Sequence, residues 1–172
     1  MTTSLIAAVL LSAKQDAPFQ LQIVALPFPT AESMPAELVT GDKVAKFGTL
    51  KATTLTDFAM ELNRLKPTIF IAHLQAGTWL GVNCYLHSRV STGESEYTLA
   101  SVSKIKSIPD GYEIETTVSD GDLKSNLTFT GGKFNHRDKF KLQPGEIHYR
   151  SPRGKLKQER ILLLFTLTKS KS

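Results

Sequence analysis

Runs of Val, Ile, Leu, Thr and aromatic residues, separated by Gly, Pro or polar residues, make up most of this chain. Such runs are typical of β-strands, and the residues between them favour turns. Residues 112–118 alternate and predict a strand with one solvent-facing side, whereas residues 161–167 are mostly apolar and predict a strand buried on both sides. The whole pattern predicts strands at 4–13, 19–28, 41–52, 68–76, 78–90, 97–108, 112–118, 125–134, 145–151 and 159–169.

One segment has the period of a helix. Thr54 and Asp57 resemble a capping box at its start, and Pro67 cannot continue a helix and marks its end. Between them, apolar side chains recur three and four positions apart, which places them on one helical face. We expect this face to pack on the core; its members are Leu55, Phe58, Ala59, Leu62 and Leu65.

The order of elements over residues 4–89 is strand, strand, strand, helix, strand, strand. This order resembles the oligonucleotide-binding (OB) fold, a five-stranded barrel with a helix between its third and fourth strands. The stretch GDKVAKFGTLKA, at 41–52, also resembles the Gly-Asp-Lys/Arg-Val start of a strand in OB-fold proteins that bind single-stranded DNA. The resemblance implies a mainly β fold with one helix. In this fold an antiparallel β-barrel would be extended by further antiparallel strands after residue 97.

A second, shorter resemblance involves Gly77-Thr78-Trp79, which is similar to the Gly-x-Trp motif of lipocalin-type barrels. It implies a barrel that encloses a small ligand, and it stays a minor alternative because it lies mid-chain after the predicted helix.

The chain of 172 residues shows no internal repeat and no linker, which predicts one domain over 1–172 with the acidic loop at 91–96 as the candidate subdivision. The apolar run 5–11 has no preceding Lys or Arg and no small-x-small pattern, so we expect a buried strand rather than a signal peptide. No apolar run approaches the roughly 18 residues of a membrane-spanning helix. With Cys84 as the single cysteine, the sequence predicts a soluble, cytoplasmic protein.

Positive charge is concentrated near the C-terminus. Residues 1–132 hold 10 basic and 13 acidic side chains, whereas residues 133–172 hold 11 basic and 3 acidic ones, so the formal charges are −3 and +8. A protein that is basic only for solubility has no need to gather its cations in one segment, so the segment predicts contact with a polyanion.

Aromatic residues are interleaved with these cations, and single-stranded nucleic acid binds both kinds of side chain. In an extended strand Arg137, Lys139 and Lys141 share one side and Phe140 lies on the other. Two interpretations remain open: the aromatic rings stack on bases, or they point into the core behind a solvated basic face. The predicted nucleic-acid-binding residues are Lys133, Phe134, Arg137, Lys139, Phe140, Lys141, Tyr149, Arg150, Arg153, Lys155, Lys157 and Arg160, with Trp79 as a further stacking candidate.

Other constellations are unconvincing. His73, Cys84 and His87 lack the paired spacing of structural zinc sites, His136, Glu146 and His148 form only a loose metal-ligand set, and Asp120 and Asp122 lack the other ligands of a calcium loop. No nucleophile elbow, phosphate-binding loop or zinc-protease motif is present. The sequence therefore predicts a protein that is not an enzyme and has no cofactor or metal.

We expect a single-stranded DNA- or RNA-binding protein with little sequence preference. The alternative is a structural or adaptor subunit whose basic segment docks on an acidic partner within a larger assembly, and the minor alternative is the small-ligand barrel.

Overall fold

The computed structural model describes residues 18–28, 39–40, 43–44, 47–51, 55–65, 72–92, 95–132, 134–152 and 160–169. These residues form thirteen β-strands and one α-helix, so the predicted mainly β fold is confirmed. In chain order the elements are β1 (Phe19–Phe28), β2 (Val39–Thr40), β3 (Lys43–Val44), β4 (Phe47–Lys51), α1 (Leu55–Leu65), β5 (Ala72–Thr78), β6 (Asn83–Thr92), β7 (Ser95–Ile108), β8 (Gly111–Ser119), β9 (Asp122–Leu123), β10 (Phe129–Thr130), β11 (Asn135–Leu142), β12 (Glu146–Arg150) and β13 (Arg160–Lys169).

Five antiparallel strands form the first sheet, in the order β4-β12-β13-β1-β5. At its centre, β1 pairs with β13 over its whole length, from Phe19 opposite Lys169 to Phe28 opposite Arg160. This pairing joins residues far apart in sequence. The loop-closure entropy of such a contact must be overcome before the sheet is stable, so we expect β1 and β13 to pair late in folding.

Four antiparallel strands form the second sheet, in the order β11-β8-β7-β6. The hairpin between β6 and β7 includes the candidate subdivision at 91–96, where Ser91 lies opposite Glu96 and Thr92 opposite Ser95. Two further pairs of short strands, β2 with β3 and β9 with β10, complete the pairing among the described residues.

The two sheets pack face to face on one apolar core. Ile23 and Phe165 contribute to it from the first sheet, and Ile105, Ile114 and Phe140 from the second. Because side chains alternate along a strand, the next positions of the first sheet point to its other side and form a second core. That core contains Val24, Leu26, Phe28, Ile147, Tyr149, Leu162 and Leu164. Residues 161–167 of β13 are therefore buried on both sides, as the sequence predicts.

Helix α1 covers the second core. Its Leu55, Ala59 and Leu62 side chains are buried there and Phe58 packs at the margin, which confirms the predicted apolar face for these residues. Arg64 and Glu61 form an exposed ion pair of 2.7 Å on the solvent side. Neither this helix nor any other part of the described chain provides a helical segment long and apolar enough to cross a membrane.

The sheets are open, and no closed barrel is found among the described strands: β4 and β5 are the edges of the first sheet, and β11 and β6 the edges of the second. The OB-like order is not confirmed, because β1 pairs with β5 and with β13 from the far end of the chain. The predicted strand at 4–13 lies outside the described residues. The pattern of apolar residues within one strand does not indicate which distant strand it pairs with. The sequence could therefore predict strands but not their closure into a barrel.

Individual strands differ from prediction where charge or glycine changes the pattern. The sequence did not predict β11 because its residues are mostly charged, and only Phe140 and Leu142 mark its apolar side. The predicted strand at 125–134 contains only the two-residue β10 and a turn. At 78–90 the strand starts late, at Asn83, because the chain turns at Gly81, whose φ of 77° favours glycine.

Candidate nucleic-acid interface

The second sheet has one side on the core and one side turned away from it, which we call the outer face. Residues opposite each other in neighbouring strands share a side, so the register identifies this face. Six of its described side chains are cations and two are carboxylates, which gives it net positive charge. Its larger and polar members are Asn83, Tyr85, His87, Arg89, Val102, Lys104, Lys106, Glu113, Glu115, Thr117, Asn135, Arg137, Lys139 and Lys141.

Two of the outer-face cations are held in ion pairs. Lys139 Nζ lies 2.9 Å from Glu113 Oε1 and 3.2 Å from Glu115 Oε1, and Lys106 Nζ lies 3.0 Å from Glu115 Oε1. The two glutamates raise the pKa of Lys139, while hydrogen bonds from Lys106 and Lys139 lower the pKa of Glu115. These pairs neutralise both carboxylates of the face.

Three other cations of the outer face have no ion-pair partner among the described residues: Lys104, Arg137 and Lys141. Arg137 and Lys141 lie on the edge strand β11, on the same side as Lys139, as the alternation in the sequence predicts. Lys104 lies on β7, directly opposite Asn83 and Glu115. Their charges are therefore available to an anionic partner.

Aromatic and apolar side chains are exposed at the opposite edge of the sheet, in β6 and the turn before it. Trp79 is 39% exposed and Tyr85 is 40% exposed, and Leu80 and Val82 lie between them in sequence. The turn is fixed to the sheet by the Gly81 N–H, which donates to Ile105 O at 2.7 Å. The outer face therefore has the Tyr85 ring at its β6 edge, near the exposed Trp79 of the preceding turn, and cations without an ion-pair partner among the described residues towards β11.

A flap, residues 120–132, leaves the sheet between β8 and β11 and lies beside the outer face. Its base is closed by Ser119 Oγ donating to Phe134 O at 2.9 Å and by Phe134 N–H donating to Asp120 Oδ1 at 2.7 Å. Gly121 and Gly132 meet there so closely that a Cβ on Gly121 would lie 2.9 Å from the nitrogen of Gly132. Side chains at Gly121 or Gly132 would force the two arms of this neck apart.

A cleft of about 510 Å³ separates the flap from the outer face. On the sheet side it is lined by Asn83, Val102, Lys104 and Arg137 among others, and on the flap side by Leu127, Thr128 and Phe129. Unpaired cations, amides and apolar side chains therefore meet in one concave site.

A largely enclosed polar cluster lies between the sheets, behind the outer face. Arg150 of β12 forms a two-pronged ion pair with Asp138 of β11: Nε donates to Oδ2, and Nη2 donates to Oδ1 at 2.8 Å. The Nε2 atoms of His136 and His148 lie 4.0 and 3.9 Å from Asp138 Oδ2, and within the described chain neither has a hydrogen-bond partner. The cluster connects the edge strand of one sheet to the other sheet.

Neighbouring side chains enclose this cluster. The ring of His148 stacks on Phe140, with centroids 4.0 Å apart and planes 11° apart. Burial alone would raise the pKa of Asp138, but the adjacent His148 and Arg150 outweigh burial and lower it, so the carboxylate stays ionised. Asp138 and Arg150 are 11% and 17% exposed in their side chains, so water screens their attraction only partly.

We expect acid to destabilise the protein in two steps. Burial lowers the pKa of His136, so the unfolded chain binds this proton more readily than the folded one, and stability falls as pH drops below roughly 6.5. The lowered pKa of Asp138 adds a second loss below roughly pH 4. Urea unfolding across pH measures both steps. His136→Gln should reduce the first step, and an unchanged free energy of unfolding between neutral pH and roughly pH 5 would contradict the assignment.

The structure divides the predicted binding residues into three groups. Arg137, Lys139 and Lys141 lie on the outer face, and Arg160 is partly exposed at the start of β13. Phe134, Phe140 and Tyr149 are buried in the cores, and Arg150 is paired with Asp138, so their side chains do not form part of the surface. Lys133, Arg153, Lys155 and Lys157 lie outside the described residues.

The burial of the three rings has a simple cause. Each ring occupies an apolar position in an alternating strand or at its start, where it removes more surface from water than an exposed ring would. The outer face also contains cations that the sequence analysis did not single out. Lys104 and Lys106 are two positions apart in β7, the same spacing as Lys139 and Lys141 in β11. The sequence did not single them out because residues 1–132 have a net negative charge.

The other candidate sites stay unassembled. In the part of the chain that the structure describes, no three His, Cys, Asp or Glu side chains are placed to hold a metal ion. Cys84 is buried, and burial raises the pKa of its thiol. Trp79 of the Gly77-Thr78-Trp79 motif lies exposed after β5. Compared with models of protein families, with curated proteins and with solved structures, the chain gives no match.

Proposed function

We propose that this protein binds single-stranded DNA or RNA on the outer face of the second sheet and is not an enzyme. The observation that carries the proposal is the distribution of charge on this face, where six cations face two carboxylates and both carboxylates are already neutralised. Phosphates of a bound strand would contact Lys104, Arg137 and Lys141, which have no ion-pair partner among the described residues.

Base stacking in this proposal belongs to Trp79 and Tyr85. Their exposed rings lie at the β6 edge, and flat side chains of this kind stack on bases of any sequence. A single-stranded nucleic acid that crosses the sheet from β6 to β11 would contact the aromatic rings at one end and the cations at the other. Lys133, Arg153, Lys155 and Lys157 stay part of the proposal as additional phosphate contacts. A cytoplasmic location, consistent with one unpaired cysteine, is part of the same proposal.

Fluorescence anisotropy of labelled single-stranded DNA and RNA, titrated at about 50 and 200 mM salt, tests this function. We expect binding at the lower salt and a steep loss of affinity at the higher one, because phosphate contacts release counterions from the strand. Absence of binding at the lower salt would refute the proposal.

Removing both exposed rings, as Trp79→Ala with Tyr85→Ala, should weaken binding about 30-fold or more, because each of the two stacked bases contributes roughly 1 to 3 kcal/mol. The slope of log affinity against log salt should stay unchanged, since no phosphate contact is lost. Met60→Ala is a matched control because Met60 is 54% exposed on helix α1, away from the outer face. Equal affinities of the double variant and the parent protein would exclude these rings as stacking residues.

A second candidate function, an adaptor subunit in a larger assembly, is favoured by one observation. Trp79, Leu80 and Val82 expose neighbouring apolar surface, which often marks a protein contact. Light scattering with and without an oligonucleotide separates the candidates, because a nucleic-acid-binding protein changes mass with the oligonucleotide alone. The small-ligand barrel would need a closed wall, and the described strands form open sheets.

A further inference from the structure

We propose that the cleft between the flap and the outer face binds one nucleotide of the bound strand and distinguishes its base. This inference rests on the proposed function and adds sequence preference to it. Its volume of about 510 Å³ lies within the roughly 300 to 1,000 Å³ of sites for small molecules. A site of this size accepts a single nucleotide turned out of the strand.

The lining contains the groups that a nucleotide needs. Lys104 and Arg137 supply positive charge for its phosphate, and neither has an ion-pair partner among the described residues. Glu115 also lines the cleft, but its charge is offset by Lys106 and Lys139. The electrostatic environment of the cleft therefore favours an anion.

Amide and apolar side chains complete the site. Asn83, at the start of β6, and Asn135, at the start of β11, are both exposed and both line the cleft. An asparagine amide offers a donor and an acceptor together, which matches the edge of a base and distinguishes one base from another. Val102, Leu127 and Phe129 supply apolar surface for the faces of the base.

The backbone at Leu127 gives a second, independent reason to assign a role to the cleft. Leu127 has a φ of 65°, a left-handed conformation that leucine rarely adopts and that glycine or asparagine adopts without strain. The turn itself is well formed, with Lys124 N–H donating to Thr128 O at 2.8 Å and Leu127 N–H donating to Lys124 O at 2.9 Å. A strained leucine at this tip is explained if its side chain is needed as a wall of the cleft.

The test measures affinity for homopolymers of dA, dC and dT, each about 12 nucleotides long, by anisotropy. We expect affinities that differ by about 5-fold or more among the three, since one amide–base pairing discriminates by that amount or more. Asn83→Ala with Asn135→Ala should reduce the difference to less than about 2-fold and leave the salt slope unchanged. Gln75→Ala, which removes an exposed amide from β5, is the matched control and should keep the preference.

Leu127→Gly provides a second variant that does not depend on the amides. It should weaken binding of the preferred homopolymer while the thermal midpoint stays equal or rises, because glycine relieves the strain at this position. Equal affinity of the parent protein for the three homopolymers, or a preference that survives in the asparagine double variant, would overturn the inference and leave the proposed function intact. Failure of all three homopolymers and of the corresponding RNA homopolymers to bind would overturn both.

Discussion

Asp138→Ala is expected to lower the free energy of unfolding by about 3 to 5 kcal/mol, the largest effect on stability that we predict for a single substitution. The change removes the carboxylate that accepts two hydrogen bonds from Arg150, and the guanidinium stays largely enclosed between the sheets without the charge that offsets its desolvation. The loss exceeds that for a surface ion pair, which contributes at most about 1 kcal/mol, because water reaches the largely enclosed guanidinium only in part.

Urea unfolding of the variant, of the parent protein and of Asp122→Ala measures this effect. Asp122 is exposed on the flap, so its removal changes net charge by the same amount without touching the cluster. Replacing both partners by apolar residues, as Asp138→Leu with Arg150→Met, should recover much of the loss, since no charge is then left inside. A cost below about 1 kcal/mol for Asp138→Ala would show that the pair contributes no more than a surface contact.

The cluster also has a consequence for the proposed interface. Arg137, Lys139 and Lys141 alternate with Asp138 and Phe140 along β11, which among the described strands is hydrogen-bonded to β8 alone. The Asp138–Arg150 pair fixes the inner side of this strand to β12. Its loss should therefore increase hydrogen exchange in β11 more than in β7, which is paired on both sides.

Lys104 and Arg137 have no ion-pair partner among the described residues, and reversing both charges, as Lys104→Glu with Arg137→Glu, should lower the affinity for single-stranded nucleic acid by about 100-fold or more at low salt. Two phosphate contacts are lost and two repulsive charges are added at the same positions. For a single strand, each lost contact flattens the slope of log affinity against log salt by about 0.7, so the two together should flatten it by roughly 1.4.

The matched control for this variant is Arg64→Glu with Lys169→Glu, which changes the net charge of the protein by the same amount. Arg64 lies on helix α1 and Lys169 lies exposed at the end of β13 in the first sheet, so neither belongs to the outer face. If binding depends on the outer face, the control should keep nearly all of its affinity. Equal losses in both variants would mean that overall charge, rather than this face, drives binding.

The basic C-terminal segment shows how far local reasoning reaches. Alternation correctly assigned Arg137, Lys139 and Lys141 to one side of a strand, because that side depends only on the pleat of the backbone. It left open whether Phe140 stacks on bases or lies in the core, and the structure places it against His148 and Phe165. The side of β11 that lies inside is decided by the packing of the first sheet on the second, which the sequence of β11 does not contain.

Arg150 illustrates the opposite case. By sequence it is one more cation in a basic stretch, but its partner Asp138 lies twelve positions away on another strand and another sheet. Similarly, Lys104 and Lys106 belong to the same outer face although residues 1–132 have a net charge of −3, because β7 pairs with β8 beside β11. Which charged side chains are paired depends on their neighbours in adjacent strands, and these neighbours cannot be identified from the linear order of residues.

The sequence by itself determined the mainly β class, the helix with its apolar face and the doubly buried β13. Each of these follows from the spacing of apolar side chains within one segment, which fixes the side of an element that leaves water. The tertiary structure alone decided that β1 pairs with β13, that the described strands form open sheets and that Asp138 neutralises Arg150. These features depend on contacts between segments distant in sequence, whose free energy comes from burying and pairing surfaces that no local pattern identifies.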